Sequence, residues 1–249
     1  MDRLGSHRTW EWLGIGVWAC LSTWLAGEIL GQVDQPGAPL VVALAIVGSV
    51  FLSDLLSGTV HWAFDRYGQL DTPVLGPGFI RPFREHHDDP VGICGHDLVE
   101  TNGNNCIACL LPLSLGLWLG PVEHLGLSTL MFGAAMGVFV TNQFHSWAHA
   151  PDPPRLARWL QRVGLALRPE HHKQHHSGAF DSHYCITNGW MNPALGWLQV
   201  FERIEAVLPP SVHVPESAAT MTPHLTRGSH APAANLPAEP TLRMQARGK

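Results

Sequence analysis

Apolar and charged residues occur along this chain in long separate blocks, not at the short spacing of a surface helix or strand. Four long stretches carry no charged residue, namely 12–27, 35–53, 101–122 and 124–151. A helix needs about 20 apolar residues to cross the hydrocarbon core of a bilayer. We therefore predict an all-α integral membrane protein with about four transmembrane helices, near residues 10–30, 39–62, 104–121 and 124–147.

Two of these spans are less certain from the sequence: the first could be a signal peptide, and the third is interrupted by prolines. Arg3 and Arg8 precede the first stretch, as positive charges do in a signal peptide. A second apolar stretch follows it, however, where a secreted protein would have a soluble domain, so we predict a retained span. The third stretch is the weakest, because Pro112 and Pro121 interrupt it.

The placement of basic residues predicts the orientation in the membrane. All fifteen Lys and Arg lie in the N-terminus, in 63–103 or after residue 150, and none lies in the short loops 31–38 and 121–124. This is the positive-inside pattern, so both termini and the 63–103 loop should face the cytoplasm. A soluble helical protein would not segregate its charge in this way. There is no Lys/Arg stripe, so we expect no nucleic-acid partner.

The chain divides into three parts on this basis. Residues 1–9 form a cytoplasmic N-terminus, and 10–208 form the membrane domain, with cytoplasmic histidine motifs in 61–103 and 145–193. Residues 209–249 are rich in Pro, Ala, Ser and Thr, a composition that cannot bury enough apolar surface to order itself. We predict a disordered tail there.

The histidines indicate a metal site. Eleven of the sixteen histidines stand in tight groups near the ends of the predicted spans. His145 and His149, like His171 and His175, are four residues apart and so share one face of a helix. The groups contain enough imidazoles for two metal ions, which predicts a cytoplasmic, histidine-rich di-metal cap on the spans.

The residues narrow the choice of metal and reaction. There is no HExxH zinc motif, and Cys106 and Cys109 have no second CxxC to complete a thiolate site, so we expect them to pack as apolar residues. Imidazole-rich sites suit Fe, Cu, Zn and Ni. A site at a membrane face can meet a lipid chain, and oxidising an unactivated C–H bond requires one-electron and O₂ chemistry, so we predict iron. A metal transporter or sensor is an alternative, although its ligands would be expected at mid-depth in the membrane; a membrane zinc hydrolase is another.

Four segments carry a family resemblance. They are SDLLSGTVHWAFDRYG (53–68), GFIRPFREHHDDPVGICGHDLVETNGNNC (78–106), TNQFHSWAH (141–149) and LRPEHHKQHHSGAFDSHYCITNGWMNP (167–193). They resemble the plasmanylethanolamine desaturases, a family of membrane desaturases that includes bacterial CarF-type proteins and the animal enzyme that makes plasmalogens. The resemblance extends from about residue 40 to 205.

The resemblance implies a reaction and a ligand set. O₂ and two electrons would remove two hydrogens from the 1-O-alkyl chain of an ether phospholipid, leaving a vinyl ether, at a centre of two iron ions. The metal ligands that it implies are His61, His86, His87, His145, His149, His172, His175 and His176. A second group, which would ligate or support them, comprises His96, His171, His183, Asp65, Asn102 and Asn188. Asp65 would orient His61 by accepting a ring N–H.

The remaining expectations concern the substrate and the partners. Arg81 and Arg84 would bind the lipid phosphate or act as ordinary positive-inside charges. An external donor, cytochrome b5-like or ferredoxin-like, would supply the electrons, and we expect a bacterial inner membrane. A fatty-acyl desaturase or hydroxylase using the same site is the nearest alternative within the enzyme class.

Overall fold

The computed structural model describes residues 3–73, 75–177 and 179–210, and within these ranges the regular secondary structure is all helical, with no β-strand. The helices in chain order are α1 (Arg3–Leu30), α2 (Ala38–Arg66), α3 (Arg81–Asp88), α4 (Leu98–Leu119), α5 (Pro121–His149), α6 (Arg155–Arg162), α7 (Pro169–His175), α8 (Asn192–Trp197) and α9 (Val200–Val207). A π-helical turn at Gly76–Ile80 precedes α3, and a 3₁₀ turn at Gly92–Gly95 precedes α4. The all-α prediction is confirmed for these residues.

Three helices of the described chain are long and apolar enough to cross a membrane: α1 from Arg8 to Leu30, α2 and α5. The predicted third span, 104–121, corresponds to α4, which begins earlier, at Leu98. Asn102, Asn104 and Asn105 make the first turns of α4 polar, and so reduce its mean hydropathy. The count of four spans therefore stays a prediction.

The four long helices form one bundle, in which α4 packs against both α1 and α5, and α2 packs against α5. Helix α4 begins beside the start of α1, where Arg8 donates to Asp97, and a single residue, Gly120, joins its end to α5. The 22 residues of α4 rise about 33 Å at 1.5 Å per residue, so α4 runs the length of the bundle. We call the end with His61 and His145 the histidine end, and the end with the 31–37 loop and Gly120 the far end.

Helices α2 and α5 run parallel in a fixed register. A Cβ added to Gly133 would lie 2.2 Å from Ser49 Oγ, and one added to Gly137 would lie 2.3 Å from Ser53 Oγ. Close packing of this kind at small residues is typical of membrane helices. Each of these pairs is 84 positions apart in sequence, as are His61 and His145, whose rings lie 6.2 Å apart. The same register thus brings two histidine-bearing helix ends together.

The outer surface of the bundle is apolar and its helix contacts contain polar groups. Trp12, Trp24, Leu40 and Leu44 are more than half exposed, whereas Ser53 is buried. A folded protein in water rarely exposes so many large apolar side chains on adjoining helices, but a bilayer solvates them. This distribution agrees with a membrane location.

Two further expectations can be compared with the structure. Cys106 and Cys109 are fully buried free thiols, and Cys109 packs with Leu25 and Leu113 in an apolar cluster, with no other group that could bind a metal nearby in the described chain. The predicted tail, 209–249, lies outside the described residues except for its first two positions, and the division into three parts stays a prediction.

Candidate metal centre

Two short helices close over the histidine end and bring the remaining histidines to it. Helix α3 carries His86 and His87, and Arg84 on the same helix donates to the carbonyl oxygens of Phe64, Tyr67 and Gly68. A cation at the C-terminus of α2 satisfies carbonyls that have no partner within the helix. The guanidinium therefore fixes α3 against the end of α2.

The segment after α7 is fastened to α2 by a buried carboxylate. Asp54 accepts backbone N–H groups from Asn188, Gly189 and Met191, each at 2.9 Å. Ser57, one turn along α2, accepts the N–H of Ile186 at 3.1 Å. These bonds hold the chain that follows α7 against the same face of α2 that carries His61.

Five imidazoles converge on one point, which we call the five-imidazole site: His86, His145, His149, His172 and His176. One ring nitrogen from each lies within 4.8 Å of the others. The Nε2 atoms of His145 and His172 are 2.8 Å apart, and that of His176 is 3.1 Å from those of both His86 and His172. Two nitrogens bound at right angles to one metal at about 2.1 Å would be about 3 Å apart, so these separations fit shared coordination.

A second cluster, which we call the carboxylate site, contains His61, Asp65, His87 and His175. Asp65 Oδ2 lies 3.2 Å from Nε2 of His61, 3.5 Å from that of His87 and 3.6 Å from that of His175. The carboxylate thus faces three imidazole nitrogens at once.

The histidine doublets connect the two sites. His86 belongs to the five-imidazole site and His87 to the carboxylate site, and His176 and His175 divide in the same way. Each doublet therefore delivers one imidazole to each of two adjacent clusters. An HH pair on a short helix has this geometry because consecutive side chains point in directions about 100° apart.

Backbone carbonyls orient two of the rings. His61 Nδ1 lies 3.0 Å from the carbonyl oxygen of Tyr184, and His175 Nδ1 lies 2.8 Å from that of Ser182. Each Nδ1–H donates to its carbonyl, so each Nε2 lone pair points into the carboxylate site, which is the arrangement that metal-binding histidines require. The N–H that Asp65 was expected to accept from His61 goes to Tyr184 instead, and Asp65 lies on the opposite side of the ring.

The donor set fits bound metal ions. Nε2 of His61, Nε2 of His149 and both oxygens of Asp65 are buried without a hydrogen-bond partner among the described residues. Buried polar atoms nearly always have a partner. Here the atoms without one point into the two clusters, where a cation would be the partner.

Burial keeps the rings of α3 and α7 in the form that binds metal. It lowers the pKa of His87 to about 3 and that of His176 to about 4. Burial also lowers the pKa values of His86, His172 and His175, and neighbouring imidazoles add to the effect. These rings are neutral at physiological pH, and a neutral ring has the free lone pair that coordination needs.

The eight histidines predicted as ligands are all in these two clusters, and Asp65 lies with them. The other predicted residues lie elsewhere. His96 is exposed, 3.6 Å from Glu100, and Asn102 donates to the carbonyl of Leu98 in its own helix. His171 lies 2.8 Å from the Asn192 amide nitrogen and packs against His183.

Asn188 and the two arginines also stand apart from the clusters. Asn188 shapes the turn held by Asp54, where its side chain accepts the N–H of Trp190. Arg84 is bound to the end of α2, as described above. Arg81 is exposed and makes no side-chain hydrogen bond to the described residues.

Sequence reasoning missed two structural residues, Asp54 and Asn192. Asn192 donates to His171 and to the carbonyl of Cys185, and its oxygen accepts the N–H of Cys185. Nothing in the sequence singles out Asn192. Asp54 does have a signal: it precedes His61 by seven positions and Asp65 by eleven, the spacing of residues on one helix face.

The chain matches the family described as the lipid desaturase domain over residues 50–215. This match covers all eight clustered histidines, Asp65 and the Asp54 anchor. The chain belongs to the lipid desaturase family. None of the solved structures matches it.

Curated relatives of this chain come from bacteria, animals and plants. The plasmanylethanolamine desaturase of Myxococcus xanthus is 42% identical over 184 residues, covering 69% of this chain and 63% of the relative. Plasmanylethanolamine desaturase 1 of Mus musculus is 38% identical, and the match covers 68% of this chain and 65% of the relative. The chloroplastic fatty acid desaturase 4 of Arabidopsis thaliana is 34% identical, and that match covers 81% of this chain and 61% of the relative. The matched region spans less than two thirds of the length of each.

Proposed function

We propose that this protein is an O₂-dependent lipid desaturase that introduces the vinyl ether double bond into the 1-O-alkyl chain of an ether phospholipid, converting plasmanylethanolamine to plasmenylethanolamine. The observation that carries the proposal is the pair of adjacent histidine clusters at the end of a bundle with an apolar surface. The choice of an ether lipid rests on two relatives named plasmanylethanolamine desaturase, at 42% and 38% identity.

Two iron ions would occupy the two sites. The five-imidazole site would hold one through His86, His145, His149, His172 and His176, and the carboxylate site would hold the other through His61, Asp65, His87 and His175. When bound, the iron ions would supply the one-electron and O₂ chemistry that side chains lack. An external donor, cytochrome b5-like or ferredoxin-like, would supply the two electrons.

The chain itself orients the ligands and excludes water from them. Phe180 stacks on His87 with ring centroids 4.3 Å apart, and Phe83 lies 5.2 Å from His61. His61 and His175 are fully buried. Exclusion of water keeps a reactive centre from unproductive reactions and strengthens its electrostatic interactions. These side chains would thus limit access to the site to an apolar substrate and O₂.

We further propose that the protein crosses the membrane four times, with the histidine end in the cytoplasm of a bacterial cell at the inner membrane. The length and direction of α4 support a fourth crossing. The exposed Arg81 at the histidine end and the lack of Lys or Arg in 31–38 support the orientation. Arg81 is the better of the two predicted arginines for a lipid phosphate, because Arg84 already binds the end of α2.

The test is to express the protein in cells that lack plasmalogens and supply an alkyl ether phospholipid. Acid-labile vinyl ethers are expected, together with about two irons per chain in purified protein. His175→Ala should abolish the product without preventing membrane insertion, whereas His124→Ala, at the far end of α5, should leave it intact. Absence of vinyl ether with the wild-type chain, or stoichiometric zinc in active protein, would contradict the proposal.

A second candidate, desaturation of a fatty-acyl chain, is favoured by the chloroplastic fatty acid desaturase 4 relative, whose match covers 81% of this chain. The same lipid extract separates the two. A new acyl double bond without vinyl ether would identify the second reaction.

A further inference from the structure

A furrow of about 310 Å³ lies along the seam between α2 and α5. Apolar side chains form its walls, among them Ile46, Val50, Phe132, Met136, Val140 and Phe144. Thr187 and Asn188, from the segment that Asp54 fastens to α2, lie at the end of the furrow nearer the histidines. The furrow is thus apolar along its length and polar at that end.

Close backbone packing creates the furrow. Gly133 and Gly137 meet Ser49 and Ser53 so closely that neither glycine has room for a Cβ. The two helices therefore meet at small residues, and the larger apolar side chains on either side of this contact project beyond it and leave a groove between them. Helices α2 and α5 form most of the furrow, and Leu165, Thr187 and Asn188 complete its lining from segments outside the helices.

One end of the furrow lies close to the candidate metal centre. Phe144 is adjacent in sequence to His145, and Phe132 is 13 positions before His145, which at 1.5 Å per residue is about 20 Å along α5. On α2, Ser53 is eight positions before His61, or about 12 Å. The furrow therefore begins within a turn of the histidines and extends away from them, toward the far end.

Polar groups separate the furrow from the clusters. The hydroxyls of Thr141 and Thr187 are 2.7 Å apart and hydrogen bonded, one turn before His145. A hydrocarbon chain lying in the furrow would therefore pass this hydroxyl pair just before it reached the imidazoles.

We propose that this furrow binds the hydrocarbon chain of the lipid substrate beyond the carbons that react, with Val140 and Met136 setting the chain length that fits. This proposal rests on the proposed function. The furrow lies in helices whose outer surface is apolar, at a depth where the surroundings offer hydrocarbon. Its volume is at the lower limit of ligand sites, about 300 Å³, which suits one narrow chain. Because the furrow ends near the histidine-bearing ends of α2 and α5, a chain that lies in it would be placed near the metal centre, whereas bulk lipid would not.

The first experiment reads binding without any reaction. Metal-free protein in vesicles of phosphatidylcholine receives an alkyl ether phospholipid that carries a photoactivatable diazirine at mid-chain. After irradiation, labelled peptides should come from 132–144 and 46–53, and excess unlabelled ether phospholipid should reduce the label at least tenfold. Labelling that excess lipid does not reduce, or that is equal at outward residues such as Leu44 and Leu127, would overturn the proposal.

The second experiment alters the wall. Val140→Trp should shift the preferred substrate to a shorter alkyl chain, with kcat/KM for the longest chain reduced at least tenfold and that for the shortest within twofold of wild type. Leu127→Trp, an equally large change at an exposed position of the same helix, should leave the chain-length profile unchanged. An unchanged profile in both variants would overturn the proposal. If the wild type forms no vinyl ether, the proposed function fails, while the photolabelling still reports on the furrow.

Discussion

Asp65 is the one acidic side chain in the two clusters, and its Oδ2 faces three imidazole nitrogens of the carboxylate site. A carboxylate both coordinates a cation and offsets part of its charge. An amide of the same shape keeps an oxygen but loses the charge. The carboxylate site should therefore depend on the charge of Asp65, and the five-imidazole site should not.

We predict that Asp65→Asn lowers bound iron from about two per chain to about one, because only the carboxylate site loses its charged ligand. Metal analysis of purified protein gives the answer directly. His176→Ala should likewise leave about one, in the carboxylate site. His124→Ala is the control and should keep both ions. Two ions per chain in Asp65→Asn would show that this carboxylate is not a ligand.

The lowered pKa values of the imidazoles give the metal-free protein a defined pH dependence. His87, at about 3, and His176, at about 4, titrate well below the ordinary value of 6.5 that they regain on unfolding. Above pH 6.5 both states are neutral and stability is complete. As the pH falls from 6.5 toward 4, the unfolded chain binds protons that the folded chain does not, so stability decreases.

We therefore predict that the free energy of unfolding of the metal-free protein is lower at pH 5 than at pH 7.5. Denaturant titrations of the chain in detergent would measure the difference, and a His87→Gln/His176→Gln double variant should show a smaller one. Equal stability at the two pH values would mean that these rings bind protons at pH 5 in the folded protein as readily as in the unfolded chain.

At the level of the element, the register of α2 and α5 determines whether the clusters form. Gly137 has no room for a methyl group beside Ser53, whereas a Cβ at Gly27 of α1 would contact nothing within 4 Å. The two glycines are a matched pair, since both are inside membrane helices and only one is at a helix contact.

We predict that Gly137→Ala destabilises the protein by about 1–3 kcal/mol, the usual effect of overpacking, and also weakens metal binding. Gly27→Ala should be neutral or slightly stabilising, because alanine is the better helix former. Thermal unfolding of the two variants, with and without iron, would measure both the stability and the metal binding of each. If Gly137→Ala matched Gly27→Ala in both measurements, α2 and α5 would not need to pack so closely.

Sequence patterns predict the long uncharged helices well, and they say little about contacts between residues that are far apart in the chain. The uncharged stretches located α1, α2 and α5. The histidine spacing gave eleven candidates, and the family resemblance selected from them the eight that the structure clusters. Asp54 ends one of those stretches, and the pattern cannot tell such a boundary from a buried anchor. Its partners are backbone N–H groups about 135 positions away, which no local pattern encodes.

At the level of the whole molecule, both helices that carry the clusters end at the same end of the bundle, and this determines how many times the chain must run along the bundle. Helices α2 and α5 are parallel, so the chain must return along the bundle between them, and α4 is the helix that does so. Composition alone does not decide whether α4 crosses the membrane, because its polar first turns lower its mean hydropathy. In the packed structure α4 runs from the histidine end to the far end, the direction that the predicted four-span topology requires.

We predict that single cysteines at Gln35 and at Asp89, in a background without the five native cysteines, react with a membrane-impermeant maleimide from opposite sides. In intact spheroplasts Gln35→Cys should be labelled and Asp89→Cys protected, and inside-out vesicles should reverse the result. The same pattern is expected whether or not metal is bound. Labelling of both positions from one side would contradict the proposed topology.

The bonds between Asp54 and the 188–191 segment also have a consequence for the order of synthesis. His61 and Asp65 leave the ribosome first, more than a hundred residues before the segment that anchors α7 to α2. Until that segment is made, each cluster lacks ligands from α7 and the anchor that holds α7 in place. The helices up to α5 can therefore enter the bilayer before either cluster can close, and loading of the proposed metal ions would be a late step of maturation.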